Sequence, residues 1–230
     1  MKILAIDAAT EACSAALSID GSVISRFEIC PQQHSQKLLP FVDDILSEAG
    51  VKLSQLDGIA YGQGPGSFTG VRIGVSIAQG LAFAADLPVV GVSSLATMAQ
   101  QAMMREGAAS VVAAIDARMS EIYLAAYCKQ AGLAVLRGQE VVAKPETFLN
   151  ELNAIEGDEL HLSVGTGWQT YGEVMRPQLK VQETQVLLPS AEFMLPLAVD
   201  SFSKGQGQAA EFAQPNYVRD EVTWQKLPGR

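Results

Sequence analysis

Apolar positions follow two alternating rhythms along this chain, and the whole sequence of rhythms then starts over. Lys2–Asp7 is an unbroken apolar run closed by an aspartate, the signature of a buried strand. Ala12–Ile19 and Ser22–Ile29 alternate with period two around Asp20-Gly21, a strong hairpin turn signal. Ser35–Ala49 then shifts to helical spacing and ends at Gly50. Leu38, Val42, Ile45, Leu46 and Ala49 form a stripe suited to a core, while Leu39 and Phe41 fall outside it. A surface helix needs only one apolar face, so the surplus implies a second buried contact. Leu56–Tyr61 predicts another strand, followed by the loop Gly62–Arg72 and a helix over Thr69–Ala85. That helix carries Gly70, Gly74 and Gly80 among many alanines. A glycine inside a helix costs about 1 kcal/mol relative to alanine, so three of them require a reason, and close approach of another helix is the usual one. Pro88–Val92 predicts a strand and Ser93–Arg105 a helix.

After Glu106-Gly107-Ala108 the pattern restarts. Val111–Asp116, Glu121–Cys128 and Leu133–Val142 read as a second meander with a turn at Ala117–Ser120, and Ile115-Asp116 stands where Ile6-Asp7 stood. A short helix over Pro145–Leu152 follows, then a strand His161–Gly165 feeding the turn Gly165-Thr166-Gly167, a helix Ala191–Ser203 and an extended tail Pro215–Arg230. The expected architecture is α/β with mixed sheets in two similar halves, residues 1–108 and 109–230, with helix 191–203 and the tail packing back on the first half.

Charge and cysteine content narrow the function classes. Acidic residues outnumber basic ones, 25 against 16, and no Lys/Arg cluster occurs, so unaided gripping of nucleic acid is not expected. Three cysteines, an odd number with no C-x-x-C spacing, fit a reducing compartment, the cytoplasm. The apolar stretch Val71–Val92 is interrupted by Arg72, Gln79, Asp86 and Pro88, against a membrane span.

The loop Gly62–Arg72 brings backbone close to a phosphate, a partner or the chain itself. A P-loop requires a lysine, and none occurs between Lys52 and Lys129. The dinucleotide pattern G-x-G-x-x-G ends at Thr69 instead of glycine. Ser67 lacks a G-x-S-x-G setting, and His34 and His161 are too few and too far apart for a zinc motif. Asp7 with Thr10, and Asp116 with Gly165 and Gly167, stand where actin-like ATPases hold a magnesium nucleotide; capping of tight turns is the plainer account of both aspartates.

Five stretches carry a family resemblance across the chain: Ile3–Leu17, Gln33–Pro40, Gly62–Gly74, Ala114–Met119 and Pro215–Arg219. They resemble the bacterial TsaB (YeaZ) family, subunits of the machinery that makes N6-threonylcarbamoyladenosine (t6A) at position 37 of tRNAs reading codons that begin with A. The resemblance implies an actin-like, sugar-kinase-type fold of two related domains. It also implies a catalytic, metal-bearing paralogue, TsaD, whose G-V-N-H-L-E-G-H segment supplies two histidine ligands. Here Ser94 and Met98 stand in their places, a poor pair for a hard ion, so no metal and no catalytic residue are expected in this chain. The implied role is a non-catalytic scaffold bound to TsaD, with the ATPase subunit TsaE docking on the pair, tRNA reached only through the complex, and a homodimer when alone. ATP or ADP is expected, if anywhere, at the subunit junction. The implied interface comprises Leu38, Leu39, Phe41, Val42, Ile45 and Leu46 on the first helix and Val71, Arg72, Gly74, Val75 and Ala78 on the second. An actin-class ATPase or kinase, with magnesium on Asp7 and Asp116, and a glycoprotease-like peptidase are the alternatives.

Overall fold

The computed structural model describes residues 1–152 and 159–219. Its first sheet is built from β1 (Lys2–Asp7), β2 (Ala12–Ile19), β3 (Ser22–Ile29), β4 (Gly58–Gly64) and β5 (Val89–Ser93), in the order β3-β2-β1-β4-β5. The second comprises β6 (Ser110–Arg118), β7 (Glu121–Gln130), β8 (Leu133–Ala143), β9 (His161–Val164) and β10 (Val181–Glu183), ordered β8-β7-β6-β9-β10. The orders are the same once β6 is matched to β1. In each sheet the opening meander pairs antiparallel and the last two strands add parallel.

Five layers result. Helices α1 (His34–Ala49) and α2 (Phe68–Ala85) cover the outer face of the first sheet, where Leu4, Ile6, Ala15 and Leu17 meet Leu38, Val42, Ile45, Val71, Val75 and Ala78. The opposite residues of the same strands, Ile3, Ala5 and Ala16, meet Met194, Leu195 and Ala198 of α5 (Ala191–Ser203). On the second sheet, α3 (Ser94–Arg105) packs Leu95, Met98 and Ala102 against Val111, Ala113 and Ile115. The outer face of that sheet takes α4 (Thr166–Met175), where Trp168 and Met175 meet Val112, Ala114 and Leu124. Strand alternation thus assigns each residue to one of two cores.

The structure departs from the sequence reading in several places, and edge strand β10 is one element that reading did not contain. Helix α3 lies before the composition boundary at 108, yet its core is the second sheet. Pro145–Leu152 forms only a short 3₁₀ turn at Phe148–Asn150. Helix α4 is absent from the sequence reading because Gly165, Gly167 and Gly172 weigh against a helix; packing of Trp168, with its indole N–H donating to Val112 O at 3.0 Å, outweighs that propensity. The predicted tail is described as far as Arg219 and has no regular structure over 213–219; its remainder lies outside the described residues.

Candidate functional site

The glycine loop is clasped by its own chain. The turn after β1 runs under it, and a Cβ at Gly66 would fall 2.1 Å from Ala9 O, one at Gly70 2.2 Å from Ala8 O. Ser67 N donates to Ala9 O at 2.7 Å, and Ser67 Oγ caps α2 by accepting from Gly70 N at 3.3 Å. From the other side the tail meets the loop, with Asn216 N donating to Gln63 O at 2.8 Å. Gly64, at φ +94°, makes this bend in a region that favours glycine. Of the three uses open to this loop, contact with the chain itself accounts for its glycines at positions 62, 66 and 70.

Asp7 does not reach a surface. It is 1% exposed; its Oδ1 accepts from Ala9 N at 3.1 Å and its Oδ2 has no partner among the described residues. A Cβ at Gly62 would lie 1.9 Å from that Oδ2, so the glycine exists to admit the carboxyl. Burial pushes the Asp7 carboxyl up to about 7. Thr10 Oγ1 accepts from Ala12 N at 3.4 Å, and His34 Nε2 donates to Thr10 O at 2.8 Å, pinning the turn to α1. Asp116 likewise serves its own turn: its Oδ1 accepts from Arg118 N at 2.9 Å, and its N–H donates to Thr166 Oγ1 at 3.1 Å. Gly165 and Gly167 let α4 lie on Ala114, whose carbonyl would sit 2.2 Å from a Cβ at Gly165. Each of the five nucleotide candidates therefore has a structural task.

Ser94 and Met98 are fully buried at the start of α3. Among the described residues no three His, Cys, Asp or Glu side chains converge as a metal centre would require.

The helical face divides the interface residues in two. Leu38, Val42 and Ile45 on α1, and Val71, Gly74, Val75 and Ala78 on α2, are buried against the first sheet and cannot meet a partner without unfolding the layer. Phe41 and Leu46 are partly buried against the same core. Leu39 and Arg72 remain accessible, and they line an open, largely apolar groove of about 460 Å³ with Ser35, Phe68, Ile73 and Ile77. Phe68 is 70% exposed, and Phe83, on the outer side of the same helix, 84%. Neither aromatic nor the isoleucines were singled out from sequence. Their signal was the i, i+4 row Thr69, Ile73, Ile77, which runs beside the buried row Val71, Val75, Ala78. Helix α2 meets the length and hydropathy of a membrane span, mean hydropathy 1.3; the structure uses that apolarity on two faces, one on the sheet and one along the groove. The glycines divide the same way. Gly70 is demanded by Ala8, whereas a Cβ at Gly80 would meet nothing within 4 Å.

Two sheets of one strand order, separated by α3 and α5, define a protein of the actin-like, sugar-kinase-type fold, with its glycine loop filled by its own backbone. Residues 26–187 match the family model described as TsaD, tRNA N6-adenosine threonylcarbamoyltransferase. The Escherichia coli protein named tRNA threonylcarbamoyladenosine biosynthesis protein TsaB is 49% identical, with 100% of both chains covered. Its Haemophilus influenzae counterpart is 40% identical over 100% of this chain and 98% of that one. The solved structure of YeaZ from Pseudomonas aeruginosa superposes with a TM-score of 0.87 at 46% identity, covering 94% of this chain and 99% of that chain. The chain belongs to the TsaB (YeaZ) family of tRNA threonylcarbamoyladenosine biosynthesis proteins.

Proposed function

We propose that this protein is a non-catalytic, cytoplasmic scaffold subunit in t6A formation. It binds and stabilises the metal-bearing paralogue TsaD through the groove between α1 and α2. The assembled complex transfers threonylcarbamoyl from its adenylate to adenosine 37. TsaE docks on the heterodimer, tRNA is reached through the complex, and any ATP or ADP sits at the subunit junction. Without the paralogue the same face pairs two copies of the chain about a two-fold axis.

The observation that carries this reading is the α1–α2 face itself. Leu39, Phe68 and Phe83 are exposed there, beside a glycine, Gly80, that no internal contact requires. Exposed apolar surface of this kind marks interaction sites, and a bare glycine on a helix lets a second helix come close. The ATPase and peptidase alternatives draw no support from the site, because Asp7 is sealed and Ser67 is committed to a helix cap.

The test mixes the chain with TsaD of the same organism and follows the complex by size exclusion. Leu39→Glu and Ile73→Glu should each abolish co-elution while leaving the melting temperature within a few degrees. Val75→Glu would not serve, since Val75 lies in the core and its loss reports on folding. Co-elution unchanged in both variants sinks the assignment.

A further inference from the structure

The segment 213–219 ties together residues that belong to both sheets. On the first-sheet side, Gln79 of α2 donates to Ala213 O at 2.9 Å, and Gln214 N donates to Tyr61 Oη at 3.1 Å. Asn216 N reaches Gln63 O, and the Tyr217 ring lies 5.2 Å from the Arg72 guanidinium. On the second-sheet side, Asn216 Nδ2 donates to Glu140 Oε2 at 3.3 Å, and the other carboxylate oxygen accepts from Tyr127 Oη at 2.7 Å. Arg219 donates to Ala117 O at 3.3 Å and to Glu121 Oε2 at 2.6 Å.

Arg219 grips an unfavourable turn. Arg118, Met119 and Ser120 take φ values of +63°, +57° and +60°, three consecutive non-glycine residues in the left-handed region. A turn of that kind persists only when its surroundings hold it. At the opposite end, Arg72 sits 3.2 Å over the Phe68 ring with the Tyr217 ring 5.2 Å away, and no carboxylate pairs with it among the described residues. Arg72 and Phe68 both line the groove.

We propose that residues 213–219 form a strap whose seating completes the partner-binding face, with Tyr217 holding Arg72 in register beside the groove and Asn216 and Arg219 anchoring the strap to the second sheet. Asn216 and Arg219 are positioning residues, remote from the groove lining. This inference rests on the reading of the α1–α2 face as the partner site. When the strap lifts, Arg72 loses one of its two aromatic neighbours and the groove loses its order at the α2 N-terminus. Affinity then falls in proportion to the fraction of chains with the strap seated.

The test has two readouts on one double variant, Asn216→Ala with Arg219→Ala. Amide hydrogen exchange on the chain alone should speed up at Gln214, Asn216 and the 117–121 turn, with the strands of both sheets unchanged. Affinity for TsaD should fall about tenfold if the seated fraction drops to about a tenth. Tyr217→Ala should weaken binding comparably while leaving exchange in the 117–121 turn as in the wild type. Unchanged exchange in the double variant overturns the strap. Faster exchange with unchanged affinity overturns its coupling to the groove. If wild-type chain fails to bind TsaD, or Leu39→Glu and Ile73→Glu both bind normally, the partner reading fails instead, and the exchange data alone decide the strap.

Discussion

At the residue scale, single glycines and one aspartate show how local chemistry is decided by what lies across from it. Gly66 and Gly80 both look permissive in sequence, yet a Cβ at the first would press on Ala9 O and at the second would face open space. Gly66→Ala should therefore destabilise the protein by about 1–3 kcal/mol, as overpacking does. Gly80→Ala should stabilise it by about 1 kcal/mol through helix propensity. Thermal melts of the two variants check both signs, and a Gly80→Leu variant that keeps its stability should lose the partner. Asp7 yields a pH prediction. Its carboxyl is raised from 3.8 to about 7 by burial, so the native state binds the proton more tightly than the unfolded chain. The associated stability is fully present below about pH 4 and is lost as pH rises towards 7, at roughly 1.4 kcal/mol per unit at most. Asp7→Asn should flatten that part of the curve and be more stable than wild type at pH 8; denaturant melts across pH 4–8 measure the difference. In this fold Asp7 is buried beneath Gly62, and that burial raises its carboxyl.

At the element scale, α2 carries the argument. Its apolar content was plain from sequence, as were its small residues, but a helix with apolar residues nearly all round does not say which row faces inward. The buried row Val71, Gly74, Val75, Ala78 follows from the position of Ala8 beneath the helix, and the turn holding Ala8 lies some sixty positions away in sequence. Seven of the eleven interface residues expected on α1 and α2 are instead buried against the first sheet. The cap at Ser67 was not read from the sequence, and removing it by Ser67→Ala should cost about 1 kcal/mol, read from a denaturant midpoint. Helix α4 was illegible because its two glycines, with Gly165 just before it, argue for a turn until Trp168 finds its pocket. The tail was legible as extended but its contacts were not, since Asn216 and Arg219 find partners such as Glu140 and Glu121 that are 76 and 98 positions away.

At the scale of the whole molecule, the two halves do not divide where composition divides. The inner face of the first sheet is covered by α5, from beyond residue 190, and α3 from before residue 108 covers the second. A fragment of residues 1–108 should therefore lack cooperative melting, because Ile3, Ala5, Val90 and Val92 would lose their cover and α3 its sheet; circular dichroism melts of the fragment against the full chain check this. Two-period and 3.6-period patterning determined by itself both opening meanders, the helices α1, α2, α3 and α5, their order and the restart of the pattern after residue 108. These depend on interactions between near neighbours. The tertiary structure alone decided that the glycine loop is occupied by Ala8, Ala9 and Asn216, that Asp7 is sealed beneath Gly62, and that a groove stays open between α1 and α2. Each depends on surfaces brought together from distant parts of the chain, and no local rhythm of apolar and polar residues records which surfaces meet.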